Sequence, residues 1–132
     1  MTRERPRAAT MPAVVRLVAG TAIVAAGGVH LWLWWRGGYR DAPGGVGPAF
    51  LGDAMASAIV GGMVLARGDR RAAWVGSALS AVALLAYGAA RTIGLGGFVE
   101  TRWTKTSLLA AGLEALVLVM LVTEALAPDA RP

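Results

Sequence analysis

Long apolar runs alternate with short polar segments along the chain. Four such runs cover residues 12–35, 49–66, 72–95 and 107–127. Each is close to the roughly 20 residues that a helix needs to cross the hydrocarbon core of a bilayer. The pattern predicts an all-α polytopic membrane protein, an antiparallel bundle of four transmembrane helices. We expect a single membrane domain over residues 1–132, which includes a short cytoplasmic N-terminal tail at 1–11.

Two of the runs have a second interpretation. The second run is the shortest and contains Asp53, so a re-entrant or interfacial segment is an alternative to a full span. The first run follows Arg3, Arg5 and Arg7, which is typical of a signal peptide as well as of a membrane helix. Its apolar stretch is longer than a usual signal-peptide core, which favours a retained helix.

Composition indicates that lipid is the main partner of the chain. Hydrophobic residues make up 56% of the sequence, charged residues 16%, and the mean hydropathy is +0.57. These values are too apolar for an ordinary soluble domain of this length. The net charge of +5 suggests nucleic acid as an alternative, but the arginines form no continuous basic helix beside aromatic residues. We expect the lipid bilayer as partner and no nucleic acid, and a homo-oligomer or a larger membrane complex is compatible with the sequence.

Basic residues are distributed unequally between the two ends of the predicted bundle. Cytoplasmic loops of membrane proteins carry the excess of Lys and Arg. The distribution therefore predicts a multi-pass protein of the cell inner (plasma) membrane with both termini cytoplasmic. On the side of the termini lie Arg3, Arg5, Arg7, Arg16, Arg67, Arg70, Arg71 and Arg131, and on the other side Arg36, Arg40, Arg91, Arg102 and Lys105.

Aromatic residues are concentrated at the end opposite the termini. Trp and Tyr favour the interface between lipid and water because their rings combine an apolar body with a polar tip. We interpret the group as an interfacial aromatic belt, with a carbohydrate or ligand platform as the alternative. Its members are Trp32, Trp34, Trp35, Tyr39 and Trp103.

Four ionisable side chains, one in each run, lie at a similar depth. They are His30, Asp53, Arg91 and Glu114, each roughly 6–10 Å from the end opposite the termini at about 1.5 Å per residue. An isolated charge at that depth costs on the order of 2–3 kcal/mol. We therefore expect Arg91 to pair with Asp53 or Glu114 inside the bundle.

Ser57 and Tyr87 extend this polar network, because each lies one helical turn from one of its charged members. Two interpretations of the network are open. One is a pocket in the extracytoplasmic leaflet that binds a small molecule or lipid headgroup, or relays protons. The other is a structural clasp between Arg91 and a carboxylate, which fixes the register of the helices.

The sequence predicts a small integral membrane protein that acts as an accessory, structural or ligand-binding subunit. A proton-coupled transporter is one alternative, although the cytoplasmic half of the runs has few polar residues besides Glu124. An enzyme that handles a lipid or quinone, with His30 as general base, is another, although no known catalytic motif is present. The chain has no Cys and one His, so disulfides and bis-histidine haem are excluded and we expect no cofactor and no metal site.

Two resemblances follow from short motifs. Residues 30–34 (His-Leu-Trp-Leu-Trp), 38–41 (Gly-Tyr-Arg-Asp) and 46–51 (Val-Gly-Pro-Ala-Phe-Leu) resemble a group of small, uncharacterised actinobacterial four-helix membrane proteins. This resemblance covers mainly the first two runs and implies the four-helix fold without a function. Residues 16–20 and 27–30 are similar to the DoxX-like membrane proteins, which also have four helices and are often linked to redox or stress systems.

Overall fold

The computed structural model describes residues 10–128, which form four α-helices and no strand longer than an isolated bridge. The helices are α1 (Ala13–Arg36), α2 (Val46–Arg67), α3 (Arg70–Thr92) and α4 (Lys105–Leu126). Each is long and apolar enough to cross a membrane. The all-α, four-helix membrane bundle predicted from the sequence is therefore confirmed. The second helix, at 22 residues, has the length of a full span.

Capping residues set helix boundaries that the apolar pattern does not reveal. The carboxylate of Asp69 accepts a hydrogen bond from the Ala72 backbone N–H at 2.8 Å, so α3 begins two residues before the predicted run. Thr104 and Ser107 form a reciprocal capping box that starts α4, also two residues early. The connection between α2 and α3 is consequently a tight turn.

Two hydrogen bonds between different segments of the chain define one end of the bundle. The Met11 N–H donates to the Gly68 carbonyl at 2.7 Å, and the Arg70 Nε–H donates to the Ala125 carbonyl at 2.7 Å. The start of α1, the α2–α3 turn and the end of α4 therefore lie together, and we call this the terminus end. The longer α1–α2 and α3–α4 connections lie at the opposite end, which we call the loop end.

The helices pack in two close pairs. The most extensive contact joins α1 to α2, and the next joins α3 to α4. The contact between α2 and α3 is the loosest between neighbouring helices. Glycine permits the close approach of α1 and α2, because a Cβ added at Gly27 would lie 2.6 Å from Ser57 Cβ. The loose contact between α2 and α3 leaves room for the cleft described below.

The apolar core fills the terminus-end half of the bundle. Ile23, Val64, Val117 and Leu121 are at most 2% exposed there. Large apolar side chains also cover the outer surface, as Leu85 does with 72% of its area exposed. An apolar outer surface around long helices is what contact with lipid requires.

Candidate functional site

Three ionisable side chains from three helices meet in the loop-end half of the bundle. His30 of α1, Asp53 of α2 and Glu114 of α4 each place one nitrogen or carboxylate oxygen within 4.8 Å of the others. His30 Nδ1 contacts Asp53 Oδ2, and the Ser57 hydroxyl donates a long hydrogen bond of 3.4 Å to the same oxygen. We call His30, Asp53 and Glu114 the polar cluster. The structure thus brings together three of the four ionisable residues that the sequence placed at one depth.

The packing of α1 on α2 positions His30. Gly27, about one turn before His30, lets α1 lie directly against Ser57 of α2. Phe50, about one turn before Asp53, packs edge-on against the imidazole with a centroid distance of 5.2 Å. The side chains of His30 and Asp53 are 14% and 19% exposed, and Glu114 is 3% exposed. The polar cluster is therefore largely shielded from the surroundings of the bundle.

Arg91 lies outside the polar cluster. Its guanidinium carbon is 3.6 Å from the Trp103 ring centroid and 4.8 Å from the Tyr87 ring centroid, and the group donates to a backbone carbonyl of the α3–α4 loop. The predicted ion pair between Arg91 and Asp53 or Glu114 is therefore wrong. Arg91 is next to the last residue of α3, so its long side chain reaches the loop, where aromatic faces and a carbonyl bind the cation.

A second buried contact connects the two loops of the loop end. The Tyr39 hydroxyl donates to the Glu100 carboxylate, and the other carboxylate oxygen accepts from the Arg102 backbone N–H at 2.8 Å. The Tyr39 ring stacks on Phe50 with a centroid distance of 4.7 Å. Burial, together with the hydrogen bond to Glu100, raises the pKa of Tyr39 to about 12.

The predicted aromatic belt needs one correction. Trp32, Trp35 and Trp103 are between 57% and 69% exposed, which is compatible with an interfacial position. Trp34 is half-buried under the Arg40 guanidinium, 5.2 Å from the ring centroid. The fifth predicted member, Tyr39, is only 5% exposed and does not belong to the belt, because its hydroxyl finds a buried acceptor in the α3–α4 loop.

The polar cluster lines a cleft of about 350 Å³ with predominantly apolar walls. Facing sides of α2 and α3 form most of these walls, and α1 and α4 lie behind them. Its lining along α3, from residue 79 to residue 90, spans about 16 Å at 1.5 Å per residue. Ala49 and Gly52 on α2, and Val82 and Ala86 on α3, are exposed rim residues. The cleft therefore opens sideways, between α2 and α3, onto the lipid-facing surface.

Two buried hydroxyl groups of α3 make no hydrogen bond of good geometry among residues 10–128. The Ser80 hydroxyl is fully buried and lies beside the Glu114 carboxyl without hydrogen-bond geometry. The Tyr87 hydroxyl is also buried, and Tyr87 lines the cleft. Buried hydroxyl groups without a partner are uncommon, so Tyr87 is a candidate for contact with a ligand in the cleft.

Sequence reasoning did not identify Glu100 or Ser80 as site residues. Glu100 lies in a polar connection, where a charged residue is expected to be exposed. Only the preceding apolar residues Phe98 and Val99 indicate that this loop turns inward. Ser80 lies two turns before Tyr87 on one face of α3. This spacing is the feature of the sequence that could have assigned Ser80 to the same helix face as Tyr87.

Comparisons of the chain with protein-family models, with curated proteins and with solved structures found no match. The fold and the site together define a small four-helix membrane protein with a sideways-opening cleft and a buried polar cluster. A function for this chain has to be inferred from that geometry.

Proposed function

We propose that the protein binds a lipophilic molecule of the membrane in the cleft between α2 and α3. The polar end of this molecule contacts His30, Asp53 and Glu114. The observation that carries the proposal is one cleft with apolar walls, a sideways opening and the polar cluster in its lining. Small-molecule sites typically combine apolar walls with a few convergent polar groups. A ligand dissolved in the bilayer reaches such a cleft without crossing water.

The charges of the polar cluster favour ligand binding over a structural clasp. The clasp required a cation opposite a carboxylate, and Arg91 instead contacts Trp103. Within residues 10–128, Glu114 has no Lys or Arg nitrogen within 4.0 Å although it is 3% exposed. A buried carboxyl group without a cation reduces the stability of the folded protein. Such a group is more readily explained by a ligand than by a role in folding.

The proposal includes an orientation in the inner membrane. In the sequence, eight basic residues precede or begin α1, follow α4 or flank the α2–α3 turn, and five lie in or beside the other two connections. Four of the eight, Arg3, Arg5, Arg7 and Arg131, lie outside the described residues. The excess of eight over five supports cytoplasmic termini. The loop end then faces the extracytoplasmic side. In this orientation the cleft opens to lipid in the extracytoplasmic leaflet.

Two alternative functions receive unequal support from the packing. A transporter needs a polar path through the terminus-end half, where Ile23, Val64 and Leu121 form part of a tightly packed apolar core. An enzyme acting on a lipid or quinone is the better second candidate. His30 Nδ1 contacts Asp53, and a carboxylate in that position orients an imidazole for general-base catalysis.

Two glycine substitutions on α2 test the proposal. Gly52 lies on the cleft rim and Gly62 faces outward near the terminus end, and a Cβ added at either position meets no atom within 4 Å. Gly52→Leu therefore places a bulky side chain at the cleft rim, starting from a Cβ in open space, and Gly62→Leu is its matched control. Each protein is purified in mild detergent, and its bound lipophilic compounds are extracted and quantified by mass spectrometry.

We expect a compound that copurifies with the wild type and with Gly62→Leu, and that falls by about tenfold or more in Gly52→Leu. Equal amounts in all three proteins, or no specific compound in the wild type, would contradict the proposal. Circular dichroism of each protein verifies that the helices form.

A further inference from the structure

We infer that His30, Asp53 and Glu114 form a binding site for one divalent transition-metal ion, of the class of Zn²⁺, Mn²⁺ and Fe²⁺. One donor atom from each residue lies within 4.8 Å of the other two. Ligands at about 2.0–2.2 Å from such an ion are separated from one another by roughly 3–3.5 Å. Modest side-chain rotations therefore bring all three donors to one ion.

The charge of the site matches a divalent cation. Two carboxylates and a neutral imidazole carry a charge of about −2, which one divalent ion neutralises. Within residues 10–128 no Lys or Arg pairs with either carboxylate of the cluster, and the contact found there is a hydrogen bond between the His30 imidazole and the Asp53 carboxylate. Charged groups inside a membrane protein are normally paired or bound to a metal. A metal ion thus compensates the charge that Arg91 was expected to compensate.

A buried hydroxyl group adjoins the cluster. The Ser80 hydroxyl is 0% exposed and interacts with the Glu114 carboxyl, although it makes no hydrogen bond of good geometry among the described residues. Hydroxyl groups around metal sites hydrogen-bond to the ligating carboxylates or to metal-bound water. Ser57 already makes such a contact with Asp53.

The donor set selects the class of ion. An imidazole nitrogen favours Zn²⁺ and the first-row transition metals over Ca²⁺ and Mg²⁺, which prefer oxygen ligands. The absence of cysteine disfavours Cu⁺. Three protein ligands leave at least one coordination position open. Because the same three residues line the cleft, that position adjoins the cleft.

Cobalt(II) is the probe for this site, because its visible absorption bands report coordination directly. The full chain is purified with a tag that contains no histidine, treated with a chelator and titrated with Co²⁺ in detergent. We expect bands that saturate at one Co²⁺ per chain and disappear when Zn²⁺ is added. Asp53→Asn and Glu114→Gln should each weaken Co²⁺ binding by about tenfold or more.

Glu124→Gln is the matched control, because Glu124 lies on the same helix as Glu114 but outside the cluster. It should leave the Co²⁺ affinity unchanged. The inference is overturned if the wild type shows no cobalt bands, if Glu114→Gln binds as tightly as the wild type, or if Glu124→Gln weakens binding equally. If a cluster variant fails to fold, the wild-type titration alone tests the inference, because the wild type must show cobalt bands that saturate at one Co²⁺ per chain.

The metal site does not depend on the lipophilic ligand proposed above, and Gly52→Leu separates the two. This variant fills the cleft rim while leaving the three donor residues in place. It should lose the lipophilic compound and retain Co²⁺ binding. If Gly52→Leu also loses Co²⁺ binding, the claim that His30, Asp53 and Glu114 bind the ion without the lipophilic ligand is contradicted.

Discussion

The imidazole Nδ1 of His30 contacts the carboxylate of Asp53 across the interface of α1 and α2. This contact connects two helices at the depth where Glu114 of α4 approaches. It is the direct contact within the polar cluster, and Glu114 is the third member. If the contact is intact in the membrane, the two residues must be energetically coupled.

A double-mutant cycle measures that coupling. His30→Gln and Asp53→Asn should each lower the free energy of unfolding, and their effects should differ from additivity by about 1–3 kcal/mol because the residues touch. Thermal or denaturant unfolding in detergent provides the measurement. His30→Gln combined with Glu124→Gln is the control and should be additive. Additivity of His30→Gln and Asp53→Asn would show that the contact contributes nothing to stability.

Two adjacent glycines of α1 should respond in opposite ways to alanine. A Cβ at Gly27 would lie 2.6 Å from Ser57 Cβ, whereas a Cβ at Gly28 meets nothing within 4 Å. Gly27→Ala should destabilise the protein by about 1–3 kcal/mol through overpacking. Gly28→Ala should be neutral or stabilising by up to about 1 kcal/mol, because alanine favours the helix. Melting temperatures of the two variants check this, and equal shifts would refute the close approach of α1 and α2.

Arg91 should be coupled to Trp103 and independent of the polar cluster. Its guanidinium carbon lies 3.6 Å from the Trp103 ring centroid, which corresponds to a coupling of about 0.5–1 kcal/mol at an exposed site. Arg91→Gln and Trp103→Leu should therefore be non-additive in unfolding experiments. Arg91→Gln should be additive with Glu114→Gln. A rescue of Arg91→Gln by Glu114→Gln would instead support the ion pair that we consider wrong.

Tyr39 makes the stability of the protein sensitive to alkaline pH. Its pKa in the folded protein is raised to about 12 from the ordinary value of 10.0. The stabilisation that Tyr39 provides is therefore complete below about pH 10 and is lost as the pH rises towards 12. Melting temperature measured from pH 9 to 12 should fall more steeply for the wild type than for Tyr39→Phe, which has no phenol to ionise. Identical pH profiles would contradict the buried contact with Glu100.

The orientation of the protein can be tested because the chain contains no cysteine. Asp41→Cys places a thiol at the exposed loop end and Arg71→Cys places one at the exposed terminus end. A membrane-impermeant maleimide should label Asp41→Cys in intact cells and Arg71→Cys only after lysis. The reverse result would put the termini outside the cytoplasm.

The sequence predicted the four helices and the depth of the ionisable residues, because both follow from apolar run length and helical rise. It did not predict which residues meet at that depth. The position of Arg91 in the sequence is compatible with a contact either to the polar cluster or to the α3–α4 loop. Only the fold shows that Trp103 lies within its reach. Tyr39 looked interfacial because an aromatic ring next to a tryptophan run carries no sign of a buried acceptor 61 residues away.

The candidate metal site differs from the sequence-based expectation of no metal site, for a related reason. A metal site is recognised in a sequence by clustered His and Cys residues, whereas His30, Asp53 and Glu114 come singly from three helices. Their juxtaposition depends on the rotation of each helix about its own axis. Apolar patterning constrains that rotation weakly, because these helices are apolar on most sides and face lipid.

The central claim, a specific lipophilic ligand in the cleft, is tested most directly by photocrosslinking in cells. A diazirine amino acid is placed at Ala86, on the cleft rim, or at the neighbouring Leu85, which faces outward with 72% of its area exposed. After irradiation, intact-protein mass spectrometry measures the adducts. We predict one discrete adduct mass at Ala86 that is absent at Leu85, where bulk lipids should give a mixture. The same mixture of adducts at both positions would contradict a specific ligand site.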